Sequence, residues 1–187
     1  PAEKKIYNVK DYVVYPKHGV GKIVSVEKAK IGSIDITFYK VLIAKEKLTL
    51  SIPLNQQSHL RHVSSVNQIN KAINIDEENV LYWKRYAKIN NRLDLNREAE
   101  RGYRKTLDLG NYELETWIRR CDILINLAEW ETAVQNLLQA NEFYPGIAEI
   151  EYRLSGLYFM LNNADLAYRH LEKGLKADAE YYIIIEE

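Results

Sequence analysis

Between residues 12 and 63 apolar and polar side chains alternate with the period of two that a half-buried strand presents, and after about residue 79 the period lengthens to that of a helix. The first region reads YVVY, KIVSVEKAKI, SIDITFYKVLIA, LTLSIP and LRHV, punctuated by Gly, Pro, Asp or Lys-Glu. Its valines, isoleucines, tyrosines and threonines suit pleated, half-buried surfaces, so the pattern predicts four or five short antiparallel strands forming a small barrel. At Ile31-Gly32-Ser33 it predicts a tight hairpin, with Gly32 taking the positive φ that a β-carbon resists.

The helical region repeats itself. Trp83 and Trp117 lie 34 residues apart, Ala99, Ala133 and Ala167 keep the same interval, and so do Leu137 and Leu171, with Tyr103 at the equivalent place in the first unit. A period of 34 predicts helix-turn-helix units, here over 80–113, 114–147 and 148–181. In the second unit Trp117 opens helix A, Ala133 and Ala140 are the small residues of helix B, and Pro145 ends it; this resembles the tetratricopeptide repeat. The third unit departs from that pattern with Gly174 and Ala179 where Ala and Pro are expected, and the first with Asn90 in place of the usual aromatic. Small residues let paired helices approach, and each unit leaves an apolar face for its neighbour to cover. The tail Tyr181-Tyr182-Ile183-Ile184-Ile185 falls where another helix A begins, and reads either as the start of more chain or as a surface for a partner or a second copy.

Composition narrows the class. With 187 residues, 47% of them apolar, the chain buries one good core or two small ones. Cys121 is the single cysteine, so neither an internal disulfide nor a cysteine-built zinc site can form, which fits a reducing compartment. The beginning PAEKKIYNVK has no apolar core of a secretory leader, and no apolar run approaches the roughly 18 residues of a membrane span, so a cytoplasmic location is expected. The formal charge of zero hides a division: residues 1–72 carry 12 Lys/Arg against 5 Asp/Glu, and residues 73–187 carry 14 against 21. A basic module is joined to an acidic one, which bears on partners and encounter rates.

The stretch VVYPKHGVGKIVSVE places Gly19-x-Gly21 where a phosphate cradle is conceivable, but these glycines lead into a strand, and the third glycine opening a helix is missing. A turn at Pro16, capped by His18, is the better reading. The opening Val9-x-Asp11-Tyr12-Val13-Val14-Tyr15-Pro16-x-His18-Gly19-Val20-Gly21, the Phe38-Tyr39 strand and Leu48-Thr49-Leu50-x-Ile52-Pro53 together resemble the RNA-polymerase-interacting domain of the CarD and transcription-repair coupling factor family, over residues 7–65. That resemblance implies a Tudor-like or SH3-like five-stranded β-barrel, docking on the β subunit of bacterial RNA polymerase, and no catalysis. The docking surface it implies holds Lys28, Ala29, Lys30, Ile31 and Ser51; Ala29 and Ser51 stand where relatives carry arginines, which shifts the weight to Lys28, Lys30, Ile31 and an exposed strand edge. Family members often continue into a helical domain that touches promoter DNA. YWKRYAKIN at 82–90 echoes it faintly, but the acidic charge of this half argues against DNA contact.

The organisation expected is therefore α+β: a barrel at 1–66, a junction helix at 67–79 and an α-solenoid of three repeats at 80–187. Its concave groove takes Lys84, Lys88 and Arg92 from the first unit, Ile118, Asp122 and Asn126 from the second, and Tyr152 and Phe159 from the third, a basic-to-apolar run suited to a peptide with an acidic portion and an apolar anchor. His18, His59, His62 and His170 show no metal-ligand spacing and no carboxylate companion in sequence, and Cys121 reads as a packing residue. No nucleophile, base and orienting group can be placed together. The expected function is a non-enzymatic transcription regulator needing no cofactor, binding RNA polymerase by the barrel and a partner protein by the repeats. The alternative is a scaffold or fusion in which the repeats carry the main function.

Overall fold

A computed structural model describes residues 4–186, with side-chain surroundings up to residue 179. The apolar tail at 181–185 lies outside those described side chains. Two compact units divide the chain, Pro1–Leu95 and Asn96–Glu187. The boundary falls inside the first 34-residue unit rather than in the expected junction at 67–79. The charge division survives the move: residues 1–95 hold 16 Lys/Arg against 9 Asp/Glu, and residues 96–187 hold 10 against 17.

In the first unit one antiparallel sheet has the order β4-β3-β2-β1-β5, with strands β1 (Tyr12–Tyr15), β2 (Gly19–Ile31), β3 (Ile34–Ile43), β4 (Leu48–Pro53) and β5 (Arg61–His62). A 3-10 turn, Leu54–His59, links the last two. The alternation seen in sequence is realised: Val13, Ile23, Tyr39, Val41, Ile43 and Ile52 turn inward to a core with Tyr7 and Leu60. Gly21 faces this core, where a β-carbon would come 2.5 Å from Val41 Cγ1 and 2.6 Å from Ile43 Cδ1. The second glycine of the motif is thus required by packing, whereas Gly19 supplies a positive φ of 81° to the turn.

Tyr39 is the hub that ties the sheet to distant chain. Its hydroxyl accepts from the backbone N–H groups of Ile6 and Tyr7, each at 3.1 Å, and donates to Gln57 Oε1 at 3.1 Å. Gln57 in turn donates to the Lys4 carbonyl, and the Tyr7 hydroxyl to the Leu60 carbonyl at 2.6 Å. Burial, and then the neighbouring Tyr39, push the Tyr7 phenol above its ordinary pKa, which keeps it a donor. Helix α1 (Ser64–Ile75) packs on α2 (Val80–Arg92) and completes this unit.

The second unit runs α3 (Asn96–Asp108), α4 (Leu114–Asn126), α5 (Trp130–Phe143), α6 (Ala148–Met160) and α7 (Ala164–Glu186), each helix packed on the next. The 34-residue register is kept closely: A helices begin at Val80, Leu114 and Ala148, and B helices at Asn96, Trp130 and Ala164. Even the left-handed turn residue between A and B recurs, as Asp94, Ala128 and Asn162 with φ of 56–57°. Trp117, Cys121, Leu124, Ala133, Leu137, Ala140, Ile150 and Leu154 form the core of the unit.

Departures from the repeat pattern are compensated locally. Gly174 stands where Ala140 stands one unit earlier because the Tyr152 ring occupies the space, 2.5 Å from where a β-carbon would be. The register that places Trp at 83 and 117 places Glu at 151, and this buried carboxylate sits 2.6 Å from Nδ1 of buried His170.

Candidate functional site

The two-residue turn Gly32-Ser33 joins β2 to β3 and sets Ile31 opposite Ile34, Lys30 opposite Asp35, Ala29 opposite Ile36 and Lys28 opposite Thr37. Only Gly32 of the two central residues has a positive φ, 64°, which matches the first position of a type II′ hairpin. Strand β4 begins to pair with β3 only at Phe38, and β1 pairs with β2 only as far as Lys22. The segment from Ser25 to Thr37 is therefore a two-stranded ribbon projecting beyond the five-stranded sheet.

Alternation then assigns each residue to a face. Val26 pairs with the buried Tyr39, so Lys28 and Lys30, at even steps from Val26, share the core-side face with Thr37 and Asp35. Ala29 and Ile31 share the opposite, outer face with Ile34 and Ile36. Ile31 and Ile34 are 61% and 63% exposed, a cross-strand pair of branched apolar side chains at the ribbon's tip. Ser51 also faces outward, opposite Lys40, whose ammonium donates to the Ser51 hydroxyl at 2.8 Å and lies 3.7 Å from Glu27. All five sequence-predicted residues are exposed, but the sheet divides them: Ala29, Ile31 and Ser51 on one face, Lys28 and Lys30 on the other. Ile34 and Ile36 were missed by sequence reasoning, although a two-residue turn at Gly32-Ser33 already places Ile34 across from Ile31.

The residues expected to line the repeat groove are distributed differently. Lys84, Lys88 and Arg92 lie on α2 in the first unit, and the others lie in the second. Ile118 is a correction: it is 9% exposed and packs in the core with Leu107 and Cys121, because it faces the neighbouring helices and not solvent. Asp122 is held by Arg153, which also reaches Glu149 at 3.1 Å. The Tyr152 ring lies on Gly174 and its hydroxyl donates to Asp178, so this side chain serves the α6–α7 contact. Asn126 is exposed, and Phe159 stands half exposed, edge-on to Tyr168 at 5.7 Å.

Two further sequence readings change in three dimensions. His18 does not merely cap its turn: its Nδ1 lies 2.8 Å from Glu46, and its ring stacks on Tyr15. With His170 beside Glu151, two histidines have the carboxylate companions that sequence spacing did not show. Cys121 is fully buried, and burial pushes its thiol up to about 11, which suppresses thiolate chemistry and agrees with a packing residue. Among the described residues no helix is long and apolar enough to cross a membrane.

Comparison with known proteins bears on both units. Residues 7–64 match the family described as the CarD-like/TRCF RID domain. No curated protein sequence shows a significant match to the chain. Similar solved structures include a MamA structure titled MSR-1 C2, 14% identical with a TM-score of 0.56, covering 62% of this chain and 67% of that one. A crystal structure of MamA is 13% identical with a TM-score of 0.58, over 63% and 68% of the two chains. MamA from Desulfovibrio magneticus RS-1 is 15% identical with a TM-score of 0.53, over 62% and 65%. At such identities the likeness is one of fold, that of a tetratricopeptide-repeat protein. Residues 7–64 are thus similar to the CarD-like/TRCF RID domain, and the helices that follow share the fold of a tetratricopeptide-like repeat array.

Proposed function

We propose that this chain is a non-enzymatic transcription regulator that docks on the β subunit of bacterial RNA polymerase through the outer face of the β2–β3 ribbon and holds a second protein through its repeats. Both modules are of an interaction type. The observation that carries the reading is the exposed Ile31–Ile34 pair on a projecting ribbon, within the residues matched to the RNA-polymerase-interacting domain. As a cross-strand pair in water the two isoleucines contribute at most about 1 kcal/mol to the ribbon, whereas burying each against a partner contributes about 2 kcal/mol. Beyond Ile23 on β2, whose N–H and C=O are taken by Asp11 and Lys10, and before Phe38 on β3, the outer strand edges have no strand partner among the described residues, which leaves backbone groups suited to strand addition. Lys28 and Lys30, on the other face, serve encounter and orientation more than the apolar contact.

Capture of the isolated polymerase β lobe by the full chain tests this. Ile31→Asp is expected to weaken capture on the order of thirtyfold or more, following from the burial of one isoleucine. Lys28→Glu is expected to slow association in a salt-dependent way and leave dissociation nearly unchanged. Capture by Ile31→Asp equal to that of the unaltered chain refutes the docking surface.

A further inference from the structure

A cleft of about 270 Å³ opens in the second unit where the end of α3, the α3–α4 turn, the start of α4 and the end of α5 meet. Tyr112 and Phe143 form one wall, their rings stacked with centroids 4.5 Å apart, and Trp117 lies behind them at 6.3 and 6.0 Å. Trp117 is buried, but Tyr112 and Phe143 are 43% and 49% exposed. The Trp117 indole donates to the Tyr112 carbonyl at 3.2 Å, and the Tyr144 hydroxyl donates to the same oxygen at 3.0 Å, so the aromatic wall is held in place.

These exposed rings are not a by-product of the repeat. Shifted by 34 residues, Phe143 corresponds to Leu109 and Ala177, and Tyr112 to Glu78 and Gly146. Trp117, by contrast, has its counterpart in Trp83. Packing demands that recur with the repeat therefore account for the tryptophan and not for the two rings that reach solvent.

The charges around the cleft are unbalanced. Among the described residues Arg120 is the one cation lining it, and it is already engaged: Glu100 accepts from its Nε at 3.1 Å and Nη2 at 2.9 Å, and Asn136 accepts from Nη1 at 3.2 Å. Asp108 and Glu142, exposed at the rim, have no ion-pair or hydrogen-bond partner among the described residues. Each also sits in the last turn of its helix, Asp108 ending α3 and Glu142 next to last in α5, where the negative end of the helix dipole disfavours a carboxylate. Lys105 shares the last turn of α3 but does not line the cleft. Two unpaired carboxylates, two helix C-termini and a half-exposed pair of stacked aromatic rings all favour the same species, a cation with a flat face.

We infer that this cleft takes an arginine-bearing basic segment of a partner protein, the guanidinium lying against Tyr112 and Phe143 and paired with Asp108 and Glu142. The charge of the unit, 10 Lys/Arg against 17 Asp/Glu over residues 96–187, steers such a segment toward it. The inference extends the partner-binding half of the proposed function and names the chemistry of the partner. It is opposite in sign to the acidic peptide that the α2 lysines suggest from sequence.

The test is an amide-resolved NMR titration of the full chain with the blocked peptide Gly-Ser-Arg-Ser-Gly, alongside peptides carrying citrulline or glutamate in place of arginine. The arginine peptide is expected to shift the Trp117 indole N–H and the amides around 108–117 and 139–143, and the other two are not. The pair Asp108→Asn with Glu142→Gln, both at exposed positions and near-isosteric, is expected to weaken binding about tenfold, which is close to 1.4 kcal/mol, and Phe143→Ala is expected to weaken it as well. Equal shifts from citrulline, unchanged binding in the carboxylate pair, or no shifts up to the solubility of the peptide would each overturn the inference. Ile31→Asp should leave these shifts intact and the carboxylate pair should leave β-lobe capture intact, so failure of one proposal is separable from failure of the other.

Discussion

Around Tyr39 the first unit gathers backbone or side chains from residues 4, 6, 7 and 57, whereas around Leu137 the second unit gathers helices that follow one another directly in the chain. The barrel is held by contacts distant in sequence, each needed once. The repeats are held by a contact pattern used over and over, so that a poor residue in one unit is answered by a local change, as Gly174 answers Tyr152 and His170 answers Glu151. Loss of a hub is expected to spread through the barrel. Loss or repair of a repeat position is expected to stay within a helix or two.

The largest effect expected on this comparison is that of Tyr39→Ala, which empties a fully buried ring site and leaves the Tyr7 N–H without its acceptor, while the Ile6 N–H keeps Gln57 Oε1 at 3.2 Å. A destabilisation of about 3–5 kcal/mol follows from the cavity and the unsatisfied donor. Chemical denaturation measures it, and hydrogen exchange should place the loss across residues 6–60. A loss confined to β3 would break the contrast between the two units.

Asn90 is the repeat position that is answered least well. It is fully buried on α2, its Nδ2 donates to the Tyr86 carbonyl at 2.8 Å, and its Oδ1 has no partner among the described residues. The equivalent residue one unit later is Leu124. Asn90→Leu keeps the branched shape and removes the orphaned carbonyl, so it is expected to stabilise the protein by about 1–2 kcal/mol, read as a rise in the denaturation midpoint.

The smallest effect belongs to Ala128, which takes the left-handed turn with φ of 57° where the other two units use Asp94 and Asn162. A left-handed alanine costs about 1–2 kcal/mol, part of which glycine returns as unfolded-state entropy. Ala128→Gly is expected to add about 0.5–1 kcal/mol, seen as a small rise in melting temperature with α4 and α5 unchanged by spectroscopy.

Much of this architecture was legible before any coordinates. The period of two marked β1 to β4 within a few residues, and the 34-residue interval placed three helix pairs whose starts keep that interval. Both signals are one-dimensional: side-chain alternation and repeat length are properties of the backbone's own geometry. The site was legible in part. Ile31 is exposed, as a docking residue has to be, and its cross-strand partner Ile34 follows from the turn, but the separation of Lys28 and Lys30 from Ala29, Ile31 and Ser51 depends on which face the core occupies. Ile118 went wrong for a related reason, since helical spacing gives a face and not what packs against it.

By itself, then, the chain's order of residues determined where strands and helices form, where the hairpin turns and how its charge is divided, because these follow from local backbone sterics and composition. Only the tertiary structure decided that Gly21 must lack a side chain, that Tyr152 and Asp122 are occupied internally, and that Asp108 and Glu142 line an aromatic cleft whose cation, Arg120, is engaged by Glu100 and Asn136. Those outcomes depend on atoms brought together from separate elements, and no period along the chain records which faces will meet.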